Sequence, residues 1–358
     1  MKLFEPYLLG KTELKNRVAM APMTRCRALG NIPNELMATF YSQRAGAGLL
    51  ITEGTSPSPN GLGYARQPGA YSEEQEKGWK KVADAVHAHD GRIFMQLMHT
   101  GRTSHPLNMP AGARVLAPSA LQQEGGQMYT DSEGMQNMPV PVAMTTDDIR
   151  NTIQEFVHSA TLVIRAGFDG IELHGANGYL LEQFISPVSN QRTDEYGGSV
   201  ENRCRFILEV AEGVCNAIGK ERTGIRFSPY GLNGGMAPYP EIHETYVYLA
   251  EKLNAKGLVY LHVVDHSSMG APEVPMAIKQ ALRDTFHNTL LLSGGYEKNR
   301  AEADLQSGLA DMVAFGRPFI TNPDLVERME NNYPLNTALD MNTFYTPGEK
   351  GYTDYPKH

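Results

Sequence analysis

The apolar run GFDGIELH (Gly167 to His174) ends on a histidine, and Asn177 and Tyr179 follow it within the segment LHGANGYLLEQF. Imidazole and carboxamide N–H groups aimed at one point make a clamp for a carbonyl or oxyanion oxygen. A phenol, with an ordinary pKa near ~10, stays protonated at neutral pH and can still hand a proton to a carbanion. Asn177 stands three positions beyond His174, so a helical turn there would bring the two side chains to about 5–6 Å at Cβ. The same histidine could equally be a satisfied core or cap residue. The elements around it decide between the two.

Eight short apolar runs recur along the chain: RVAMAP from Arg17, GLLITEG from Gly48, RIFMQLM from Arg92, DGIELH from Asp169, TGIRFSP from Thr223, LVYLHVV from Leu258, TLLLSGG from Thr289 and DMVAFG from Asp311. Nearly continuous apolarity is the mark of parallel strands covered on both faces. Amphipathic stretches separate them. EEQEKGWKKVADAVHAH spaces Trp79, Val82 and Val86 as a helix does, and TTDDIRNTIQEFVHSATLVIRAG opens on Thr and Asp caps and closes on Gly167. SVENRCRFILEVAEGVCNAIG, EIHETYVYLAEKLNAKG and KNRAEADLQSG continue the alternation.

This pattern predicts an α/β fold, either a (β/α)8 TIM barrel or a doubly wound open sheet. The eightfold count, and the lack of a GxGxxG after the first strand, favour the barrel as one domain over residues 1–358. Residues 99–144 interrupt it with a long Gly- and Pro-rich insertion after strand 3, which is read as a lid carrying a hairpin at the C-terminal face.

On such a barrel chemistry sits at the C-terminal ends of the strands. Strand 1 ends in Pro22, Met23 and Thr24, strand 2 in Glu53 and Gly54, strand 3 reaches Gln96, and strand 4 delivers His174 and the turn with Asn177 and Tyr179. Strand 5 carries Arg226, strand 6 His262, and strands 7 and 8 close on Gly294–Gly295 and Gly316–Arg317. Glycines at the last two ends would expose N–H groups to a phosphate, with Arg317 forking onto its oxygens, although glycines also simply end strands. Arg226 is a charge inside an apolar strand and is costly there without a partner. With few carboxylates on neighbouring strands, an electron-rich ligand is the expected partner. Gln96 and Thr24 would add neutral contacts around a polar heterocycle, and FMN fits both requirements.

The formal charge of −8 and pI near 5.8 argue against a nucleic-acid surface. Cys26, Cys204 and Cys215 form no CxxC pair and suggest a reducing compartment without disulfides. The opening MKLFEPYLLGKTELKN lacks the apolar core of a secretory leader, and no run reaches membrane-spanning length, so a cytoplasmic location is expected. No metal site is expected. His87 and His89 lie on an amphipathic helix, and His99 and His105 in the lid have no carboxylate at ligand spacing.

Several blocks carry a resemblance that runs nearly end to end: NRVAMAPMTR, YSQRAGAGLLITEG, ELHGANGYLLEQFISPVSNQRTDEYGGSVENRCRF, AFGRPFITNPDLV and FYTPGEKGYTDYP. Together they resemble the old yellow enzyme family, FMN-dependent ene-reductases on a (β/α)8 barrel. Within it the chain looks most similar to the bacterial N-ethylmaleimide and nitrate-ester reductases.

The resemblance implies that Pro22, Met23, Thr24, Gly54, Gln96, Arg226, Gly294, Gly295, Gly316 and Arg317 contact FMN, with Arg226 at the N1/O2 edge. It implies that His174 and Asn177 bind the activating oxygen of an α,β-unsaturated carbonyl or nitro compound, and that Tyr179 is the proton donor. NADPH or NADH would reduce the flavin, and the alkene would then receive a hydride from flavin N5 in a ping-pong cycle. Met98, where close bacterial relatives carry Trp, and Tyr345 in the tail are the implied substrate walls. VVDHSSMGAPEVP looks shorter than in those relatives, an expected opening of the pocket.

Other readings share the barrel. An aldolase needs a Schiff-base lysine at a strand end, and a dienoyl-thioester reductase needs an iron–sulfur cysteine cluster; neither is present. A flavin-binding redox or ligand sensor with little turnover is the alternative from another class. A sensor has no use for a proton donor at Tyr179.

Overall fold

All eight apolar runs form strands: β1 Val18–Met20, β2 Leu49–Ile51, β3 Ile93–Leu97, β4 Gly170–Gly175, β5 Thr223–Phe227, β6 Tyr260–Val264, β7 Thr289–Ser293 and β8 Met312–Phe315. In the computed structural model, which describes residues 1–358, they pair in parallel and in chain order, and β8 closes on β1. The result is the expected (β/α)8 barrel. Every strand residue is buried, which is why the strands read as unbroken apolar runs.

The barrel interior is layered. Its lower half is filled by Ala19, Leu49, Ile51, Phe94, Tyr260, Leu291 and Met312, and the N-terminal hairpin (Tyr7–Leu9 with Thr12–Leu14) packs Leu9 and Leu14 against this layer. Two residues further along several strands the side chains turn polar: Phe94 gives way to Gln96, Tyr260 to His262 and Leu291 to Ser293. The period of two keeps these groups on the same inner face, so the polar layer lies directly above the apolar plug.

The five predicted helices are present as α2 Glu73–His87, α3 Thr146–Arg165, α5 Val200–Ile218, α6 Ile242–Lys256 and α8 Lys298–Ser307. Capping boxes open two of them, Ser72 with Gln75 and Thr145 with Asp148. Five more were not anticipated: α1 Glu35–Ser42, α4 Leu180–Ile185, α7 Met276–Thr285, α9 Arg317–Thr321 and α10 Leu325–Asn331. All six residues of α4 are buried, so it has no polar face to mark a helical period. No helix is long and apolar enough to cross a membrane.

The insertion at 99–144 contains the anticipated hairpin, Gln127–Thr130 with Gly134–Asn137, and a short parallel pair, Leu116–Ala117 with Val142–Ala143. The C-terminal tail is docked by three fully buried arginines. Arg25 donates to the Gly351 carbonyl (2.6 Å), Arg27 to that of Thr343 (2.6 Å) and Arg44 to that of Tyr352 (3.4 Å). These bonds bring Tyr345 to the open end of the barrel.

Candidate active site

A cavity of about 1040 Å³ opens at the C-terminal end of the barrel. Its wall gathers Pro22, Met23 and Thr24 from beyond the end of β1, Gln96 from β3 and Met98 just after it, and His174, Asn177 and Tyr179 from β4 and its turn. Arg226 of β5, Gly294 and Gly295 after β7, Gly316 and Arg317 after β8, and Tyr345 complete the predicted set. Gly54 is the exception. It is buried but does not line the cavity, and a Cβ there would come within 2.4 Å of the Met98 sulfur. Its lack of a side chain therefore serves the seating of Met98 in the wall.

No helical turn joins His174 to Asn177, so their closeness does not come from helical spacing. His174 still belongs to β4, whereas Asn177 (φ 60°) and Gly178 (φ 74°) are consecutive left-handed residues. Asparagine tolerates that conformation and glycine favours it. A Cβ at Gly178 would also strike the Asn233 carbonyl at 2.4 Å. The reversal leaves Asn177 in the same cavity wall as His174, and Tyr179 becomes the N-cap of α4 without a capping hydrogen bond of its own.

His174 and Tyr179 meet edge to face, with ring centroids 4.9 Å apart. Burial, then the charge of Arg226, holds the His174 imidazole well below its ordinary pKa, so it is neutral, and its Nδ1 has no partner in the protein. The Tyr179 hydroxyl shares a 2.7 Å hydrogen bond with that of Tyr64. Burial, with Tyr64 beside it, pushes the Tyr179 phenol well above its usual value and keeps it protonated.

Beneath them lies a buried polar network. Glu172 accepts from Gln96 (2.7 Å), Tyr260 (3.0 Å) and His262 Nδ1 (2.8 Å), and Ser293 hydrogen-bonds His262 Nε2 (2.8 Å). Burial works against the Glu172 carboxylate, but His262 and Arg226 outweigh it and hold the pKa down. The expectation that Arg226 has few carboxylates near it is thus corrected. Adjacent strands of a closed barrel bring Glu172 of β4 within electrostatic reach of Arg226 of β5. Yet Arg226 makes no hydrogen bond within the protein, and its buried Nε has no acceptor. A buried guanidinium left unpaired is costly, and it faces the cavity.

The glycines after β7 have a reason inside the chain. Gly294 (φ 113°) lies so close to Asp265 that a Cβ would fall 1.9 Å from its carbonyl oxygen, and Gly295 is left-handed at φ 60°. Tight backbone packing, as well as an open wall, requires them. Arg317 is exposed, with only a 3.5 Å contact to Ser268, and is available to an anion.

Sequence reasoning missed several residues of the site. Tyr64 and His266 line the cavity from loops and contact Tyr179 and Asn177. Ser228 and Glu182 lie behind the turn. The Asn177 backbone N–H donates to Ser228 Oγ (2.8 Å), while Glu182 accepts from the Gly178 N–H (2.6 Å), Ser228 (3.0 Å) and Tyr246 (2.9 Å). Thr103, Gln123 and Met138 bring the insertion into the wall.

The unpartnered Arg226 and His174 groups fit an acceptor-rich ring, and the Gly295 and Arg317 region fits a phosphate. Comparison with known proteins bears on the family and the cofactor. The NADH:flavin oxidoreductase / NADH oxidase family matches residues 2–336. A probable flavin mononucleotide-dependent alkene reductase of Leishmania infantum is 41% identical, covering 99% of this chain and 97% of its own. Morphinone reductase in complex with tetrahydroNAD superposes with a TM-score of 0.95 at 43% identity, covering 100% of this chain and 98% of the other. An old yellow enzyme homologue from Zymomonas mobilis does so with a TM-score of 0.94 at 39% identity, over 99% of each chain.

Proposed function

The chain belongs to the NADH:flavin oxidoreductase / NADH oxidase family, and we propose that its His174, Asn177 and Tyr179 carry the reduction of an activated alkene in the strand-end cavity. It is an FMN-dependent ene-reductase of the old yellow enzyme type, acting on activated C=C bonds with a nicotinamide as reductant. FMN, when bound, supplies the hydride that the alkene receives at its β-carbon. Arg226, Gln96, Thr24, Pro22 and Met23 would hold its ring, and Gly294, Gly295, Gly316 and Arg317 its phosphate.

The convergence of two neutral donors and a phenol on one cavity carries this reading. His174 and Asn177 hydrogen-bond the carbonyl or nitro oxygen, where negative charge gathers as the β-carbon is reduced. Because the imidazole is neutral, it donates a hydrogen bond without competing as an acid. Tyr179 gives its proton to the α-carbon. The Tyr64 hydroxyl, 2.7 Å away, can then donate to the oxygen that lost it. Met98, Tyr345 and the insertion at 99–144, acting as a lid, bound the substrate. Free thiols at Cys26, Cys204 and Cys215 support the cytoplasmic assignment.

The test is an anaerobic absorbance experiment: reduce the purified holoenzyme with NADPH or NADH, then add 2-cyclohexenone. Bleaching of the flavin followed by recovery is expected. In Tyr179→Phe, bleaching should be normal and recovery slower by roughly 10²-fold or more. Recovery at the wild-type rate in that variant would remove Tyr179 from the reaction.

A further inference from the structure

We propose that His266 is a positioning residue for substrate binding, locking the Asn177 carboxamide with its NH₂ toward the substrate oxygen. The inference rests on the clamp described above and assigns a role to a loop residue outside it. A carboxamide has nearly the same shape after a half-turn, yet the turn exchanges a donor for an acceptor. Only its hydrogen-bond partners decide which one the cavity sees.

At Asn177 that decision falls to one residue. The backbone is already fixed, since its N–H donates to Ser228 Oγ at 2.8 Å and Ser228 is held in turn by Glu182 at 3.0 Å. The side chain makes a single bond within the protein, accepting at Oδ1 from His266 Nε2 at 2.6 Å. With Oδ1 engaged, the NH₂ is left to the cavity, beside His174. An imidazole at this place that accepted instead would draw the NH₂ to itself and turn Oδ1 on the substrate oxygen. Acceptor would then face acceptor, and the clamp would lose one arm.

The surroundings favour the donating form. His266 stands in the loop after β6, where burial and then the charge of Arg226 lower its pKa to about 4, so it carries one ring proton at neutral pH. The neighbouring carboxylate, Asp265, is occupied by Lys279 at 2.9 Å and by the Ser267 N–H at 2.9 Å. The 2.6 Å bond to Oδ1 therefore has the use of that proton.

The experiment titrates the FMN-loaded enzyme with 4-hydroxybenzaldehyde, read by the flavin absorbance change, in a double-mutant cycle of His266→Phe and Asn177→Ala. His266→Phe keeps the ring without its N–H, and His266→Ala is the second variant should the first lose FMN. Either should weaken binding on the order of tenfold in the wild-type background and change nothing further in the Asn177→Ala background. His266→Gln, which places an N–H near the site of Nε2, should restore most of the affinity. An equal loss with and without Asn177, no loss at all, or failure of Gln to restore binding would overturn the assignment. If Asn177→Ala alone binds the phenol as tightly as wild type, the clamp itself is wrong, an outcome distinct from failure of His266 to act through it.

Discussion

Replacing Arg226 by Met should leave the apoprotein at least as stable while severely weakening its hold on FMN. Arg226 is only 6% exposed, its Nε has no acceptor, and burial is the largest influence on its basicity. Its nearest opposite charge, Glu172, keeps donors from Gln96, Tyr260 and His262 when the guanidinium is gone. The substitution thus removes a buried charge that makes no hydrogen bond within the protein; the desolvation it relieves, several kcal/mol per ion, is partly offset by the attraction to Glu172 that is lost. In a chain of this size each kcal/mol shifts Tm by about 2 °C, so the apoprotein should melt between its original Tm and several degrees above it.

The loaded protein behaves oppositely. Each charge-assisted hydrogen bond lost to the cofactor costs ~1.5–3 kcal/mol, and losing two raises the FMN Kd by roughly 10²–10⁴-fold. Thermal unfolding of both apoproteins and FMN titration by fluorescence quenching measure the two effects. An apo variant that melts several degrees lower, or one that binds FMN within about threefold of wild type, would refute the reasoning.

Other perturbations follow from the same geometry. Tyr64→Phe removes the 2.7 Å bond to Tyr179 and should slow stopped-flow reoxidation by an enone about tenfold, with phenol affinity unchanged; an unaltered rate would exclude Tyr64 from proton delivery. Gly54→Ala drives a Cβ into the Met98 sulfur and should cost about 1–3 kcal/mol while changing KM for bulky enones, so unchanged Tm and KM would show that Met98 yields freely.

Glu182 titrates near neutrality. Burial raises its pKa to about 7 despite bonds from Gly178, Tyr246 and Ser228. A carboxyl raised on folding stabilises the fold fully below its ordinary pKa of 4.5, and that contribution is lost as pH rises through about 7. Relative to Glu182→Gln, the wild type should lose on the order of 3 kcal/mol between pH 4.5 and 8. A difference in denaturant stability that stays constant over that range would contradict it.

The barrel was legible because a strand covered on both faces writes an uninterrupted apolar run, and such runs mark themselves without reference to the rest of the chain. Most of the cavity wall was legible for a related reason, since in a barrel the last residues of each strand must converge. Residues without a local signature were not. Glu172 hides within the apolar strand β4, and only the pairing of β4 with β5 sets it near Arg226. The wholly buried α4 lacks a period, and Gly54 differs from a cavity-lining glycine only in what stands opposite it.

Sequence alone thus determined the strands, their order, the amphipathic helices between them and which side chains end the strands, because those follow from periodicities spanning a few residues. Tertiary structure decided which of these groups find partners. Tyr64 reaches Tyr179 across 115 positions and His266 reaches Asn177 across 89, and no local pattern records a contact that exists only once the ring of strands has closed.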